Sequence, residues 1–308
     1  MRAVVIGADG FVGRHLVEHL RTKGDEVTEV VGPRSPTAHA AAIALDVRDA
    51  EAVLAQAETW HADAVYHLAA VSYGPDAAAD PRGALATTLG GTLNILEAAA
   101  ALTEPPVVFV PGSSEVYGAP DLDRIPESTP LRPINVYGAT KAAQEMLALA
   151  YGVARGMRVV CSRSFNHIGP GQRESFVLPA FARQLRQIGS GGAEPRLHVG
   201  NLSPIRDFTD VRDVVAAYRL LVAADHSGDP VNVASGRGIS VGELLDQLIA
   251  VSGLDVAVET DPARVRAHDP PRVVGDPSRL HEITGWSPHI SLAQTVADVW
   301  ADAELRFG

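Results

Sequence analysis

Short, mostly apolar runs alternate along this chain with stretches whose apolar residues recur at helical spacing. Arg2 to Ile6, Glu26 to Val31, Ile43 to Val47, Ala64 to Ala70, Pro106 to Val110 and Met157 to Cys161 are of strand length. Their Val, Ile and Ala content suits strands buried on both faces. Between them, helical spacing runs through Leu16, Val17 and Leu20 to Gly24, then over Asp49 to Thr59. It returns as one long Ala- and Leu-rich helix from Pro81 to Leu102, and again from Asn135 to Arg155. The alternation of strands and helices implies a parallel sheet. The expected class is α/β, a Rossmann-type doubly wound parallel sheet with a smaller C-terminal α/β lobe.

The first strand runs directly into Gly7-Ala8-Asp9-Gly10-Phe11-Val12-Gly13-Arg14 and an amphipathic helix. Gly7 permits a tight turn, Gly10 lets backbone N–H groups approach a pyrophosphate, and Gly13 lets the helix pack close to its strand. Dinucleotide binding is the reading this context favours over a plain turn. The second strand ends in Val31-Gly32-Pro33-Arg34, without the carboxylate that would take the ribose hydroxyls of NAD. Arg34, helped by Arg14, would meet a 2′-phosphate, which tilts the cofactor to NADP(H) over NAD(H). Arg34 projecting into water from a Pro-rich loop is the alternative. Asp46 is either an acceptor for the adenine amino group or a turn residue. His15 and His19, four apart, lack a third ligand and a His-Glu-x-x-His frame, so they read as surface histidines and no metal is expected.

A second constellation joins Gly112-Ser113-Ser114-Glu115-Val116-Tyr117-Gly118 to Tyr137-Gly138-Ala139-Thr140-Lys141. Tyr137 and Lys141 share one helix face. An ammonium beside a phenol is expected to lower the phenol's pKa, and a nearby serine could hold the same substrate oxygen. The trio suits proton exchange with an alcohol or ketone while a cofactor carries hydride.

Composition narrows the setting. With 308 residues, 46% hydrophobic and 20% charged, the chain can bury a large core and is not disordered. A net charge of −11 argues against nucleic acid or an anionic membrane as partner. A single cysteine, Cys161, cannot pair within the chain, and no segment has the length or hydropathy of a signal peptide or membrane span. A cytoplasmic enzyme is the expectation.

The glycine turn, Leu45-Asp46-Val47, His67-Leu68-Ala69-Ala70, the Ser-Ser-Glu run and Tyr137-x-x-x-Lys141 stand in an order that resembles the extended short-chain dehydrogenase/reductases of the nucleotide-sugar branch. The likeness covers nearly the whole chain. Arg163 to Gln172, Val199 to Leu202, Arg206 to Val215, Val231 to Gly236 and Val274 to Leu280 continue it, and as a set they are similar to the GDP-4-keto-6-deoxy-D-mannose reductases (GDP-6-deoxymannose dehydrogenases).

The resemblance implies a site, residue by residue. Gly7, Gly10, Phe11, Val12, Gly13, Arg14, Arg34, Asp46, Val47, Leu68, Ala69 and Ala70 would line the cofactor. Ser113 and Ser114 would orient a C4 ketone, Tyr137 would protonate its oxygen, and Lys141 would tune Tyr137 and hold the nicotinamide ribose. Asn166, Val177, Arg206 and Arg266 would bind the nucleotide sugar, with a GDP-sugar favoured. Arg206 pairing with Asp207 or Asp210 is its structural alternative, and Glu115 is either a base or a hydrogen-bonded carboxylate. Thr88 stands where the family usually has asparagine, and Ala267 and His268 depart from its Arg-Pro-Ser/Thr-Glu pattern. A dinucleotide lobe over 1–164, with 210–234 returning to it, and a substrate lobe over 165–209 and 235–308 are expected, as is a homodimer. The rival readings are 4,6-dehydration or C4 epimerisation at the same site, and a non-catalytic dinucleotide sensor.

Overall fold

A computed structural model of the chain describes residues 1–33, 35, 41–264 and 269–307. Its first half runs β1 (Arg2–Ile6), α1 (Phe11–Thr22), β2 (Glu26–Val31), β3 (Ile43–Ala44), α2 (Ala50–Ala57), β4 (Ala64–His67), α3 (Gly74–Ala79) and α4 (Pro81–Ala84). Then come a π-helical turn (Leu85–Gly90), α5 (Gly91–Ala101), β5 (Val107–Ser113), a 3₁₀ turn (Ser114–Tyr117), α6 (Val136–Arg155) and β6 (Val159–Ser164). The second half contributes β7 (Asn166–Ile168), α7 (Val177–Gly189), β8 (Arg196–Val199), β9 (Ile205–Asp210), α8 (Val211–Ala223), β10 (Val231–Val233) and β11 (Gly238–Ser240). It closes with α9 (Val241–Ser252), β12 (Ala257–Thr260), β13 (Arg272–Val273), α10 (Ser278–Thr284) and α11 (Leu292–Phe307).

Seven strands form one sheet in the order β10-β6-β5-β4-β1-β2-β3, every pairing parallel. The order doubles back beside β1, the point at which open α/β sheets leave a crevice past their strand ends. Val4, Val5, Val65, Tyr66, Val108 and Phe109 are buried, so the central strands are covered on both faces, as their unbroken apolar runs require. Residues 45–47 lie beyond the end of β3, which is shorter than its apolar run suggests. The helix expected over Pro81 to Leu102 is not continuous. A π-helical turn interrupts it and buries Thr88, whose Oγ1 accepts from the Val71 amide at 3.2 Å. Helical spacing does not reveal this turn, because the buried Ala84, Thr88, Gly91 and Thr92 still stand three or four residues apart.

The later elements build a smaller assembly. Strands β11, β9 and β13 pair in that order, β7 joins β9, and β8 pairs separately with β12. Helices α7, α9 and α11 pack together through Leu178, Phe181, Leu185, Leu244, Leu248, Val296 and Val299. α8 and β10 return to the large sheet. So does α10, which falls within the range expected for the other lobe. Leu280 and Trp286 are buried against Val214, Ala217 and Tyr218, and the Trp286 indole donates to the Asp213 carbonyl at 3.0 Å. Between the two sheets, the buried Asp207 carboxylate accepts from the amides of Ser235, Gly236 and Gly275 and from the Ser235 hydroxyl.

Candidate active site

At the end of β1 the backbone turns sharply. Gly7 has φ +88°, a region side-chained residues rarely occupy, and a Cβ there would stand 2.9 Å from the Ala69 amide nitrogen. A Cβ on Gly13 would lie 2.1 Å from the Gly7 carbonyl oxygen, so only glycine lets α1 sit this close to the turn. Gly10 caps α1 without a side-chain hydrogen bond, which leaves the first-turn N–H groups for an anion. These features line one end of a cleft of about 810 Å³.

Gly7, Gly10, Phe11, Val12, Gly13, Asp46, Val47, Leu68, Ala69 and Ala70 all line that cleft, and so do Ser113, Ser114, Glu115, Tyr137, Asn166 and Val177 at its other end. A narrow glycine cradle opening into a trough lined by Leu68 to Ala70 fits a dinucleotide. Three predicted residues are placed differently. Arg14 is turned away, its guanidinium donating to the carbonyls of Asp9 and Gly171. Arg206 lies off the cleft and pairs with Asp269, not with Asp207 or Asp210. Lys141 is buried behind the residues that line the cleft. Arg34 and Arg266 lie outside the described residues. Asp46 accepts from the Arg48 guanidinium at 2.6 and 2.9 Å, and Arg48 itself lines the cleft.

α6 starts where Asn135 caps it, the Asn135 Oδ1 accepting from the Gly138 amide at 2.8 Å. That start puts Tyr137 in the first turn, half-buried and hydrogen-bonded to Ser113, whose strand β5 ends alongside. Asn135 Nδ2 also donates to Glu115 Oε2 at 2.6 Å, so one side chain caps the helix and holds the carboxylate.

The expected lowering of the Tyr137 pKa by Lys141 is not what the structure gives. Burial first, and then the Glu115 charge, push the phenol above its ordinary value. Lys141 Nζ instead donates to the Pro111 carbonyl and to Gln144 Oε1, both at 2.9 Å, and burial lowers the lysine to about 8.

Residues that sequence reasoning passes over close the far end of the cleft. Arg173 lies 3.4 Å from Asp76 and over the rings of Tyr73 and Phe176, which meet edge-on at 5.1 Å. Arg173 and Phe176 line the cleft, and Tyr73 and Asp76 reach them from the segment after β4. The neighbouring loop at 169–172 is held from two sides. His15 bonds to the Pro170 carbonyl and Arg14 to that of Gly171, while from α11 Asp302 accepts from the Gly171 amide and Arg306 donates to the Gln172 carbonyl. His15 therefore serves that loop instead of standing free on the surface. No local pattern announces such partners, which lie more than a hundred residues away.

A glycine cradle at the switch point of a parallel sheet, with a serine and a tyrosine at the other end of the same trough, defines an NAD(P)-dependent oxidoreductase of the extended short-chain dehydrogenase/reductase type. The chain belongs to the family described as GDP-mannose 4,6 dehydratase, whose profile matches residues 4–299. It is 36% identical to the GDP-6-deoxy-D-mannose reductase of Pseudomonas aeruginosa, over 99% of this chain and 98% of that protein. Among solved structures it is similar to RMD from Pseudomonas aeruginosa complexed with NADPH, with TM-score 0.88, 34% identity and 99% of both chains covered. It is also similar to the Thermus thermophilus UDP-glucose 4-epimerase in complex with NAD, with TM-score 0.87, 28% identity and 99% of both chains covered.

Proposed function

We propose that this protein reduces the C4 ketone of a nucleotide-linked 4-keto-6-deoxyhexose, a GDP-sugar by preference, with NADPH as reductant. The observation that carries the reading is Ser113 and Tyr137 at the end of the glycine-cradled cleft, in a chain 36% identical throughout to a GDP-6-deoxy-D-mannose reductase. When bound, the nicotinamide dinucleotide supplies the hydride. The glycine turn and the N-terminus of α1 would hold its pyrophosphate, and Leu68 to Ala70 would flank its nicotinamide half.

Tyr137 donates a proton to the C4 oxygen while Ser113 donates a hydrogen bond to the same atom. A phenol pushed above its ordinary pKa stays protonated at neutral pH, as a proton donor in a reduction must. Glu115, clamped by Asn135 beside Tyr137, supports that state through its charge and need not remove a proton from the sugar. Lys141, behind Tyr137, would serve the nicotinamide ribose. Asn166 and Val177 would contact the nucleotide sugar. The NADPH preference rests on Arg34 and on the NADPH-bound relative.

A homodimer through α6 is part of this reading. Met146 and Val153, at 64% and 80% exposure, stand on one face of that helix.

The test is stoichiometric. Purified protein with GDP-4-keto-6-deoxy-D-mannose should consume one NADPH per reduced sugar. Dehydration or epimerisation consumes none, so a flat absorbance trace would exclude the reductase, and a flat trace with no altered sugar product would revive the sensor reading. Tyr137→Phe should lower turnover by at least ~100-fold.

A further inference from the structure

Behind the cleft, Lys141 belongs to a chain of hydrogen bonds whose direction can be worked out atom by atom. Thr92 Oγ1 donates its only proton to the Thr88 carbonyl at 2.6 Å, on the π-helical turn. That oxygen can then only accept from its other neighbours. Gln144 Nε2 lies 2.7 Å from it and His67 Nε2 lies 3.1 Å from it, so both nitrogens must carry the hydrogen. This orients the Gln144 carboxamide. Its Oε1 faces Lys141 Nζ at 2.9 Å, and the flipped amide would oppose two pairs of like atoms. Gln144 is fully buried, as are Thr92 and His67. Nζ has a second acceptor in the Pro111 carbonyl. Two of its hydrogens are thus committed, leaving one for the cofactor side.

We propose that Gln144 is a positioning residue: its carboxamide, locked by Thr92, fixes where the Lys141 amine stands behind Tyr137. The inference rests on the reading that Lys141 serves the nicotinamide cofactor. A hydrophobic residue of the same size would fill the space equally well, so packing alone does not explain a carboxamide with both ends engaged. The chain's composition points the same way. Of its 26 basic residues only Lys23 and Lys141 are lysines, so this buried position takes an amine in a protein that otherwise uses guanidinium. The titratable groups whose fields act between Lys141 and its surroundings are Cys161 on β6, His67 on β4 and His167 on β7, and Tyr137 and Glu145 stand one turn to either side of it on α6. Neither β5 nor the π-helical turn carries a titratable side chain.

Having two lysines makes the test direct. Protein labelled with carbon-13 at the lysine ε position gives two resonances, and Lys23→Arg assigns them. Gln144→Met removes the acceptor and should move the Lys141 titration midpoint down by at least about half a pH unit. Gln144→Glu supplies a charged acceptor and should move it up by at least as much. Affinity for NADPH, followed by nucleotide fluorescence, should weaken roughly tenfold in Gln144→Met. If Gln144→Met does not fold, Thr92→Val breaks the same chain one bond further on and should shift the midpoint in the same direction.

A Lys141 midpoint at the wild-type pH in every folded variant would overturn the proposal, as would unchanged NADPH affinity in Gln144→Met. Neither readout needs turnover, so a protein that reduced no sugar would refute the proposed reaction and leave this inference standing.

Discussion

Replacing Glu145 by glutamine would strand a cation in the interior. Glu145 on α6 and Arg163 on β6 are both buried, joined by Nη2 to Oε1 at 2.7 Å and Nε to Oε2 at 2.8 Å. Glutamine can supply only one of those acceptors and turns an NH₂ toward the other N–H. Removing one partner of such a pair costs about 3–5 kcal/mol. Arg163 would still have the Tyr117 hydroxyl and the Glu127 carbonyl, each at 2.9 Å, and the face of the Tyr117 ring at 4.9 Å. The expected loss therefore sits at the low end, about 3 kcal/mol. The double variant Glu145→Leu with Arg163→Met removes both charges. It leaves Tyr117 bonded to Asn232 Oδ1 at 2.7 Å and orphans only the Glu127 carbonyl, so it should lose less, about 1–2 kcal/mol. Urea unfolding followed by circular dichroism, with slopes compared, measures all three proteins. A Glu145→Gln variant within about 1 kcal/mol of wild type, or a double variant no more stable than that single one, would refute this account of the pair.

Gly13→Ala forces a Cβ into the 2.1 Å gap before the Gly7 carbonyl, and NADPH affinity by fluorescence titration should fall at least about tenfold. Gly74→Ala, with nothing within 4 Å of its Cβ, should leave that affinity unchanged. Glu115→Gln takes away a charge that raises the Tyr137 pKa, so the alkaline limb of ketone reduction should move to lower pH, read from kcat/KM against pH. A limb that stays put or rises would contradict the assignment. Met146→Glu with Val153→Glu puts like charges on the exposed face of α6, and sedimentation velocity should then find monomers.

The parts of the site that are legible in sequence are those whose chemistry is local. Gly7, Gly10 and Gly13 state their purpose by spacing, and Tyr137 and Lys141 share a face because the helix repeat demands it. What depends on distant partners is not legible. Arg206 carries no mark of Asp269, 63 positions on, and Arg14 no mark of the Gly171 carbonyl. The direction of the Tyr137 shift escapes the sequence for the same reason. Adjacency to Lys141 is visible there, but the burial of the phenol and the Glu115 charge brought beside it, which set the direction, are not. Gln144 reads as one polar position among many on an amphipathic helix, since nothing in its neighbours points to Thr92, 52 residues earlier. The π-helical turn leaves no trace either, because its apolar residues keep nearly helical spacing.

The loop at 169–172 is gripped by the first helix and by the last. Its two anchors in α11, Asp302 and Arg306, come within seven residues of the chain's end. Replacing Asp302 and Arg306 together would slacken the loop that carries Gln172 into the cleft lining. That variant would keep the large sheet, which neither side chain touches, while one end of the cleft came loose.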